Sequence, residues 1–138
     1  MTPRLGHALM GAALLRMAPI AIVVALAVGC DAAEGARVAS ANQITGGDAT
    51  RGPDLMRAYG CGSCHVIPGV TGANGLVGPP LAGVASRSYI GGVLPNAPDN
   101  MIRWLLDPRA VDSLTAMPNV GVTPSDARHL AAYLYTLR

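Results

Sequence analysis

The chain has 138 residues, enough for one domain and too few for two of ordinary size. Apolar residues make up 51% of it, yet there is no Phe, one Trp and four Tyr, so a buried non-protein group would help to fill the core. There is no Lys, so the formal positive charge comes from Arg alone; from Cys30 onward eight Arg offset seven Asp and one Glu, so the formal net charge of +2 arises before that residue. The sequence has no basic patch, which excludes a nucleic-acid-binding protein.

Residues 1–29 are predicted to be a signal peptide. Arg4 and Arg16 precede an apolar stretch that covers residues 17–29. This stretch is shorter than the roughly 20 apolar residues that a membrane-spanning helix needs, and it suits the core of a signal peptide. A retained, uncleaved anchor is the alternative.

The segment around Cys30 predicts how the protein is held after export. The sequence "LAVGC" resembles a bacterial lipoprotein signal, in which the Cys is lipidated and becomes the first residue. The alternative is that Cys30 is an incidental thiol near an ordinary cleavage site. Residues 30–46 are small and polar, which predicts a flexible tether, and residues 47–138 form the compact domain. We therefore expect a periplasmic protein that is tethered to the membrane surface through Cys30.

The first helix of the domain is predicted within residues 47–60. Asp48 is placed as its N-cap, and Pro53 makes a regular helix possible only from about that position onward. About 35 residues rich in Gly and Pro follow, and a loop of that length is reasonable only if it wraps around something. Nothing in the chain predicts a strand.

Two further helices are predicted in the C-terminal half. The second covers residues 96–108, with Asn96 and Asp99 at the spacing of a capping box. The third covers residues 123–137, where Thr123 is the cap and apolar residues then recur at helical spacing. We expect an all-α domain with long loops.

The segment "YGCGSCHVIPG" places Cys61, Cys64 and His65 within five positions. A structural zinc site would need a second pair of ligands, and after His65 only His129 follows. A redox dithiol would begin a helix after a strand, and a disulfide between these cysteines would leave His65 without a role. Covalent attachment of haem accounts for all three residues, because two thiols so spaced can add to the two vinyl groups and the imidazole can bind iron.

Residues 47–138 resemble class I cytochromes c at several separate points. The resemblance is carried by "GD", by Cys-x-x-Cys-His, by "GPPLAG" with an Arg nine residues after its Gly, by "AMP" and by "HLAAYL". The run "LPNAPDNMIRWLLDP" is similar to the cytochrome c domain fused to subunit II of some haem–copper oxidases. The resemblance implies an all-α class I cytochrome c fold, with crossing N- and C-terminal helices and a few short helices and long loops around one covalent haem c.

The resemblance also implies roles for individual residues. His65 would be the proximal iron ligand, with the Pro79 carbonyl accepting from its other ring N–H. Met117 would be the distal ligand, whose thioether favours Fe(II). Leu81 would pack on the haem face, and Arg87 would pair with a haem propionate.

Five other residues have less specific expected roles. Tyr89 and Trp104 are candidates for contact with a propionate, and their alternative role is core packing. Gly52 and Tyr133 are expected to meet where the terminal helices cross. His129 is expected to be an exposed helix residue.

Six-coordinate haem iron has no open position for a substrate, so the expected function is electron transfer and not catalysis. We expect a monomeric, exported bacterial cytochrome that passes electrons between redox protein partners of the respiratory chain. One alternative is a five-coordinate haem gas sensor or peroxidase, which requires that Met117 does not bind iron. Another is a cytochrome subunit docked permanently on an oxidase or a dehydrogenase.

Overall fold

The computed structural model describes residues 32–138. The predicted signal peptide and Cys30 lie outside this range. The chain divides into two units, Met1–Ala36 and Arg37–Arg138. In the first unit, residues 32–36 are described, and they are helical and exposed. The second unit holds all of the elements that follow.

Residues 37–45 form a helix, α1, within the segment 30–46 that the sequence predicted to be a flexible tether. Residues 37–45 are therefore a regular helix where an irregular tether was expected. Ala has the highest helix propensity, and Val38, Ala41 and Thr45 recur at spacings of three and four, which places them on one helix face. Ala41 and Thr45 are buried, and Val38 packs against the core. The helix is therefore part of the second unit.

The first predicted helix forms in two pieces. A 3₁₀ helix, Ala49–Arg51, is capped by Asp48, whose carboxylate accepts a hydrogen bond from the Thr50 N–H at 3.0 Å. The α-helix α2, Gly52–Ala58, follows directly. Pro53 lies in its first turn, where a missing N–H costs no helical hydrogen bond. The predicted cap at Asp48 and the late start of the regular helix are thus both found.

The second predicted helix is shorter than expected. Helix α3 covers Pro98–Leu106, and its N-cap position is held by Ala97, which makes no side-chain cap bond. The predicted capping box is wrong, because the amide of Asn96 is bound to other backbone groups instead. A separate short helix, α4, covers Pro108–Val111 and is capped by the Asp107 carboxylate.

The C-terminal helix α5, Pro124–Thr136, agrees with the prediction. The Thr123 hydroxyl oxygen accepts a hydrogen bond from the Asp126 N–H at 3.2 Å. The buried residues of this helix recur on one face and extend round its last turns: Ala127, Leu130, Ala131, Ala132, Tyr133 and Leu134.

Two very short strands were not predicted. Strands β1, Tyr89–Ile90, and β2, Leu94–Pro95, pair antiparallel. Gly91 and Gly92, between them, both have positive φ values, of 57° and 79°, which favour glycine and permit the tight reversal. Strands of two residues are too short to show the alternation of apolar and polar residues by which strands are predicted.

The helices near the two ends of the unit cross closely. Helix α5 packs against α2 and against α3. At the crossing with α2, a Cβ on Gly52 would overlap the Cβ and Cγ atoms of Tyr133. The expected meeting of these two residues is therefore confirmed. In the range 32–138, no helix is long and apolar enough to cross a membrane.

A polar cluster closes one side of this crossing. His129, which was expected to be exposed, is half-buried, and its Nδ1 accepts a hydrogen bond from the Asp48 N–H at 2.8 Å. The Arg51 guanidinium lies 2.6 Å from the other ring nitrogen and 3.7 Å from the Asp126 carboxylate. The Tyr59 hydroxyl donates to that same carboxylate at 2.8 Å. We call these five residues the crossing cluster.

Candidate functional site

A cavity of about 460 Å³ lies between the helices and the long loops. Every described residue that was predicted for the site lines it: Cys61, Cys64, His65, Pro79, Leu81, Arg87, Tyr89, Trp104 and Met117. The rest of the wall is largely apolar and includes Met56, Val84, Ile90, Met101, Leu105 and Leu134. The remaining predicted site residue, Cys30, lies outside the described residues.

The two cysteines sit on a tight turn at the end of α2. A 3₁₀ helix covers Cys61–Ser63, and the Cys61 carbonyl accepts hydrogen bonds from the N–H groups of Cys64 at 3.3 Å and His65 at 3.1 Å. Both cysteines are free thiols. Burial raises the pKa of the Cys61 thiol. The turn therefore brings two thiols and an imidazole to one wall of the cavity.

The His65 ring is oriented by the loop that follows it. Its Nδ1 lies 2.7 Å from the Pro79 carbonyl oxygen. Because a carbonyl can only accept, Nδ1 carries the proton and Nε2 keeps a lone pair that is available to a metal. A Cβ on Gly78 would overlap the His65 ring, so only glycine allows the backbone to pass so close to it. The sequence singled out Pro79 and missed Gly78, whose signal was its place at the head of "GPPLAG".

Residues 78–87 form a segment that is tied to the cysteine turn. The Gly78 N–H donates to the Cys64 carbonyl at 2.8 Å, and the Leu81 N–H donates to the Val66 carbonyl at 2.9 Å. The Arg87 guanidinium donates back to the carbonyls of Pro80 and of Ala82, the latter at 3.2 Å. These bonds use one nitrogen of the guanidinium, so N–H donors remain for the propionate that the resemblance implies.

Met117 reaches the cavity from the loop that precedes α5. Its side chain packs against the core, and its N–H donates to the Thr115 hydroxyl at 3.2 Å. The loop is stabilised by its own turns, since the side chains of Asp112 and Asn119 accept hydrogen bonds from N–H groups two residues ahead. Met117 and His65 thus line one cavity although they lie far apart in sequence.

The two aromatic candidates occupy different environments. Trp104 is buried on α3 and packs so closely on Gly91 that a Cβ there would overlap its ring. Core packing therefore accounts for its position, although it also lines the cavity. Tyr89 is 58% exposed, so core packing does not account for it.

Charge is scarce around the cavity. Arg87 is the one Asp, Glu, Lys or Arg among residues 58–98, and residues 113–125 contain none. Three large apolar residues of these loops are strongly exposed: Leu76 at 86%, Val77 at 79% and Leu114 at 91%. Val77 lines the cavity, and Leu76 and Leu114 are next in sequence to the lining residues Val77 and Thr115; we call these three residues the apolar rim. In the part of the chain that is described, no group of three or more His, Cys, Asp or Glu residues could hold a metal ion.

Comparison with known proteins shows the family to which the chain belongs. The family profile described as Cytochrome c matches residues 49–138. A cytochrome c oxidase subunit 2 from Alkalihalophilus pseudofirmus (strain ATCC BAA-2126 / JCM 17055 / OF4) is 29% identical over 91 residues, which cover 65% of this chain and 26% of that protein. The chain therefore spans about a quarter of the length of this curated relative. The chain belongs to the Cytochrome c family of class I, whose members transfer electrons and bind haem c covalently.

Proposed function

We propose that the chain is an exported bacterial cytochrome that passes single electrons between respiratory-chain partners through one haem. In this proposal, Cys61 and Cys64 would hold the haem, and His65 and Met117 would bind its iron. The observation that carries it is that these four side chains line the same cavity.

The residues of the cavity fit this cofactor. The wall is largely apolar, as a macrocycle requires, and the free thiols of Cys61 and Cys64 can form thioethers. The iron supplies one-electron redox chemistry when haem is bound. The protein holds the group, orients its ligands and excludes water.

His65 and Met117 have distinct tasks in this proposal. The hydrogen bond from His65 Nδ1 to the Pro79 carbonyl fixes the tautomer and orientation of the imidazole. The Met117 thioether is a soft ligand that favours the reduced state. With both positions filled there is no open site for a substrate, which supports an electron carrier over an enzyme.

Absorption spectra of three methionine variants test this ligand set. Met56, Met101 and Met117 all line the cavity, so Met56→Leu and Met101→Leu are matched controls for Met117→Leu. We expect only Met117→Leu to lose the weak long-wavelength band of methionine-ligated ferric haem and to become high-spin. A high-spin spectrum of the unchanged protein would instead favour the five-coordinate sensor or peroxidase.

The surroundings of the cavity indicate how a partner docks. The apolar rim and the low charge of the neighbouring loops suit a redox protein with an apolar, uncharged face, and screening by salt has little effect on such a surface. We therefore expect the rate of oxidation by hexacyanoferrate(III), an anion, to depend weakly on ionic strength. Leu76→Glu adds a negative charge at the rim and should slow this oxidation at low salt, whereas Ile44→Glu on α1, an exposed control, should not.

The partner is proposed to be a respiratory complex with which the protein associates transiently. The likeness to an oxidase subunit supports electron exchange with the respiratory chain. Purification from detergent-solubilised membranes tests the transient character. Recovery of the free monomeric cytochrome is expected, and a stable co-purifying oxidase or dehydrogenase would favour the permanently docked subunit.

Export and membrane attachment through Cys30 complete the proposal. The sequence "LAVGC" supports lipidation, and attachment of c-type haem outside the bacterial cytoplasm supports a periplasmic location. Mass spectrometry of the mature N-terminus should find a lipidated Cys30. An unmodified Cys30, or a mature chain that begins elsewhere, would contradict the anchor without affecting the haem site.

A further inference from the structure

Asn96 joins three parts of the second unit. Its Nδ2 donates to the carbonyl of Val84 at 2.9 Å and to the carbonyl of Arg87 at 2.8 Å. Its Oδ1 accepts from the Tyr135 hydroxyl of α5 at 2.8 Å. Its own N–H donates to the Ser88 carbonyl at 3.0 Å. Both amide protons and the amide oxygen are thus used, which is why this side chain does not cap α3.

The segment that Asn96 holds is the one that orients His65. The Arg87 backbone is fixed by Asn96, and the Arg87 guanidinium donates to the carbonyls of Pro80 and Ala82. Pro80 directly follows Pro79, whose carbonyl accepts from His65 Nδ1 at 2.7 Å. A continuous series of hydrogen bonds and covalent links therefore runs from α5 to the imidazole.

Tyr135 anchors the far end of this series. Its side chain is half-buried, and burial raises the pKa of its hydroxyl, so the proton needed for donation to Asn96 is retained over the working pH range. A second link between the same elements runs from the Ala85 N–H to the Leu137 carbonyl at 3.1 Å. Tyr135 of α5 therefore supports residues 84–87 through Asn96, and Leu137, at the C-cap of α5, supports them through one backbone bond.

We propose that Asn96, supported by Tyr135, is a positioning residue that holds the Pro79 carbonyl against His65 and thereby lowers the reduction potential of the protein. The inference rests on the proposed role of His65 as an iron ligand. A hydrogen bond from Nδ1–H to a carbonyl makes the imidazole a stronger donor, which stabilises the oxidised state. Loss of Asn96 loosens this bond and raises the potential.

A purely structural role predicts the opposite sign. If Asn96 only supported packing, its loss would admit water to the cavity, and water favours the more highly charged oxidised state. The potential would then fall together with the thermal stability. The direction in which the reduction potential changes therefore distinguishes a positioning role of Asn96 from a packing role.

Three variants of the full-length holoprotein make the test. Asn96→Ala removes all the side-chain bonds, and Tyr135→Phe removes one hydroxyl at the far end. Tyr133→Phe is the matched control, because Tyr133 lies on the same helix and its hydroxyl donates to the Pro68 carbonyl, outside the segment 78–87. Potentiometric titration gives the reduction potential, and thermal unfolding gives the stability.

We expect the potential to rise in Asn96→Ala and to rise less in Tyr135→Phe. It should stay unchanged in Tyr133→Phe even if that variant loses stability. In the reduced protein, exchange of the His65 Nδ1 proton with solvent, followed by NMR, should become faster in the first two variants only. An unchanged or lower potential in Asn96→Ala overturns the proposal, as does an equal shift in all three variants.

The double variant Asn96→Ala/Tyr135→Phe tests whether the two residues act in series. If Tyr135 acts through Asn96, its substitution adds no further shift once Asn96 is gone. A full additive shift would overturn that part of the proposal. Should Asn96→Ala fail to fold, the comparison of Tyr135→Phe with Tyr133→Phe still decides the question.

Failure of this inference can be distinguished from failure of the proposed function. If His65 does not bind iron, the unchanged protein lacks the low-spin spectrum of His/Met ligation before any variant is made. If only the positioning role of Asn96 is wrong, that spectrum is normal and the potential fails to rise.

Discussion

The crossing of the terminal helices and the loops around the cavity are built on different principles. At the crossing, α2 and α5 fill the space between them with their own side chains, and Gly52 lies directly on Tyr133. The loops consist of short turns and two-residue strands whose inner surface lines a cavity of about 460 Å³. At the crossing the chain packs against itself, whereas the loops surround a cavity that haem would fill.

The largest expected effect comes from removing the attachment of haem. The variant Cys61→Ala/Cys64→Ala should lose covalent haem and, with it, most of the hydrogen-exchange protection of residues 59–97, because a bound group stabilises only the folded state. Protection in α5 should fall less. Cys30→Ser is the matched cysteine control and should keep both the haem and the protection. Equal hydrogen-exchange protection of residues 59–97 with and without haem would show that these loops do not depend on haem more than the crossing does.

A side chain at position 52 should destabilise the crossing of α2 and α5. A Cβ on Gly52 would overlap Tyr133, so Gly52→Val should lower the free energy of unfolding by about 3 kcal/mol. Gly35, a helical glycine with no atom within 4 Å of an added Cβ, is the control, and Gly35→Val should cost almost nothing. Denaturant titration measures both, and a Gly52→Val variant as stable as the unchanged protein would show that the crossing is not tightly packed.

A buried charge on α1 should have a smaller effect. Ala41 is 2% exposed, so Ala41→Asp should cost about 2 kcal/mol of unfolding free energy, since a carboxyl group would lose its water. Ala39, on the same helix, is exposed, and Ala39→Asp should change stability by less than about 0.5 kcal/mol. Equal effects in thermal unfolding would show that α1 does not pack on the unit.

The smallest expected effect is the pH dependence of the stability that the crossing cluster contributes. The Tyr59 hydroxyl, which donates to Asp126, is the main cause that holds the pKa of that carboxyl below its ordinary value of 3.8. The folded state therefore binds the proton less readily than the unfolded state, so this contribution to stability is complete above pH 3.8 and is lost as the pH falls below it. Asp48 has a lowered pKa too, chiefly through Thr50, and contributes with the same sign.

Acid titration of the unfolding free energy measures this contribution. Asp126→Asn should flatten the curve below pH 3.8, and Tyr59→Phe should flatten it in part because it removes the main cause of the shift. If the curves of the unchanged protein, Asp126→Asn and Tyr59→Phe run parallel, the charge of Asp126 does not contribute to stability.

Local signals made the C-terminal helix and the turn that carries Cys61, Cys64 and His65 predictable. Thr123 and Pro124 specify the start of α5 by interactions within one turn. Cys61, Cys64 and His65 are adjacent in sequence, so their arrangement depends on a single turn. Elsewhere in the site, Pro79, Leu81, Arg87 and Met117 were predicted from their places in family motifs, whereas Tyr89 and Trp104 were only candidates.

Features that depend on distant contacts could not be predicted in this way. Asn96 and Asp99 have the spacing of a capping box, so the sequence predicted a cap. The Asn96 amide binds the carbonyls of residues 84 and 87 instead, and only the fold brings these groups together. His129 has an ordinary helical position, and its partners lie near the other end of the unit. The residues of α1 are small and polar, which fits a linker as well as a helix until a surface is available to bury Ala41.

The hydrogen bond between the Asp48 N–H and His129 joins residues 81 positions apart. No local segment can form the crossing, so folding must close a loop of nearly the whole unit before Gly52 and Tyr133 meet. The chain therefore loses conformational entropy on closing this loop before the contacts at the crossing stabilise it. Isolated helices form within about a microsecond. The folding rate is therefore expected to be set by the encounter of the two ends of the chain, and not by the formation of any one helix.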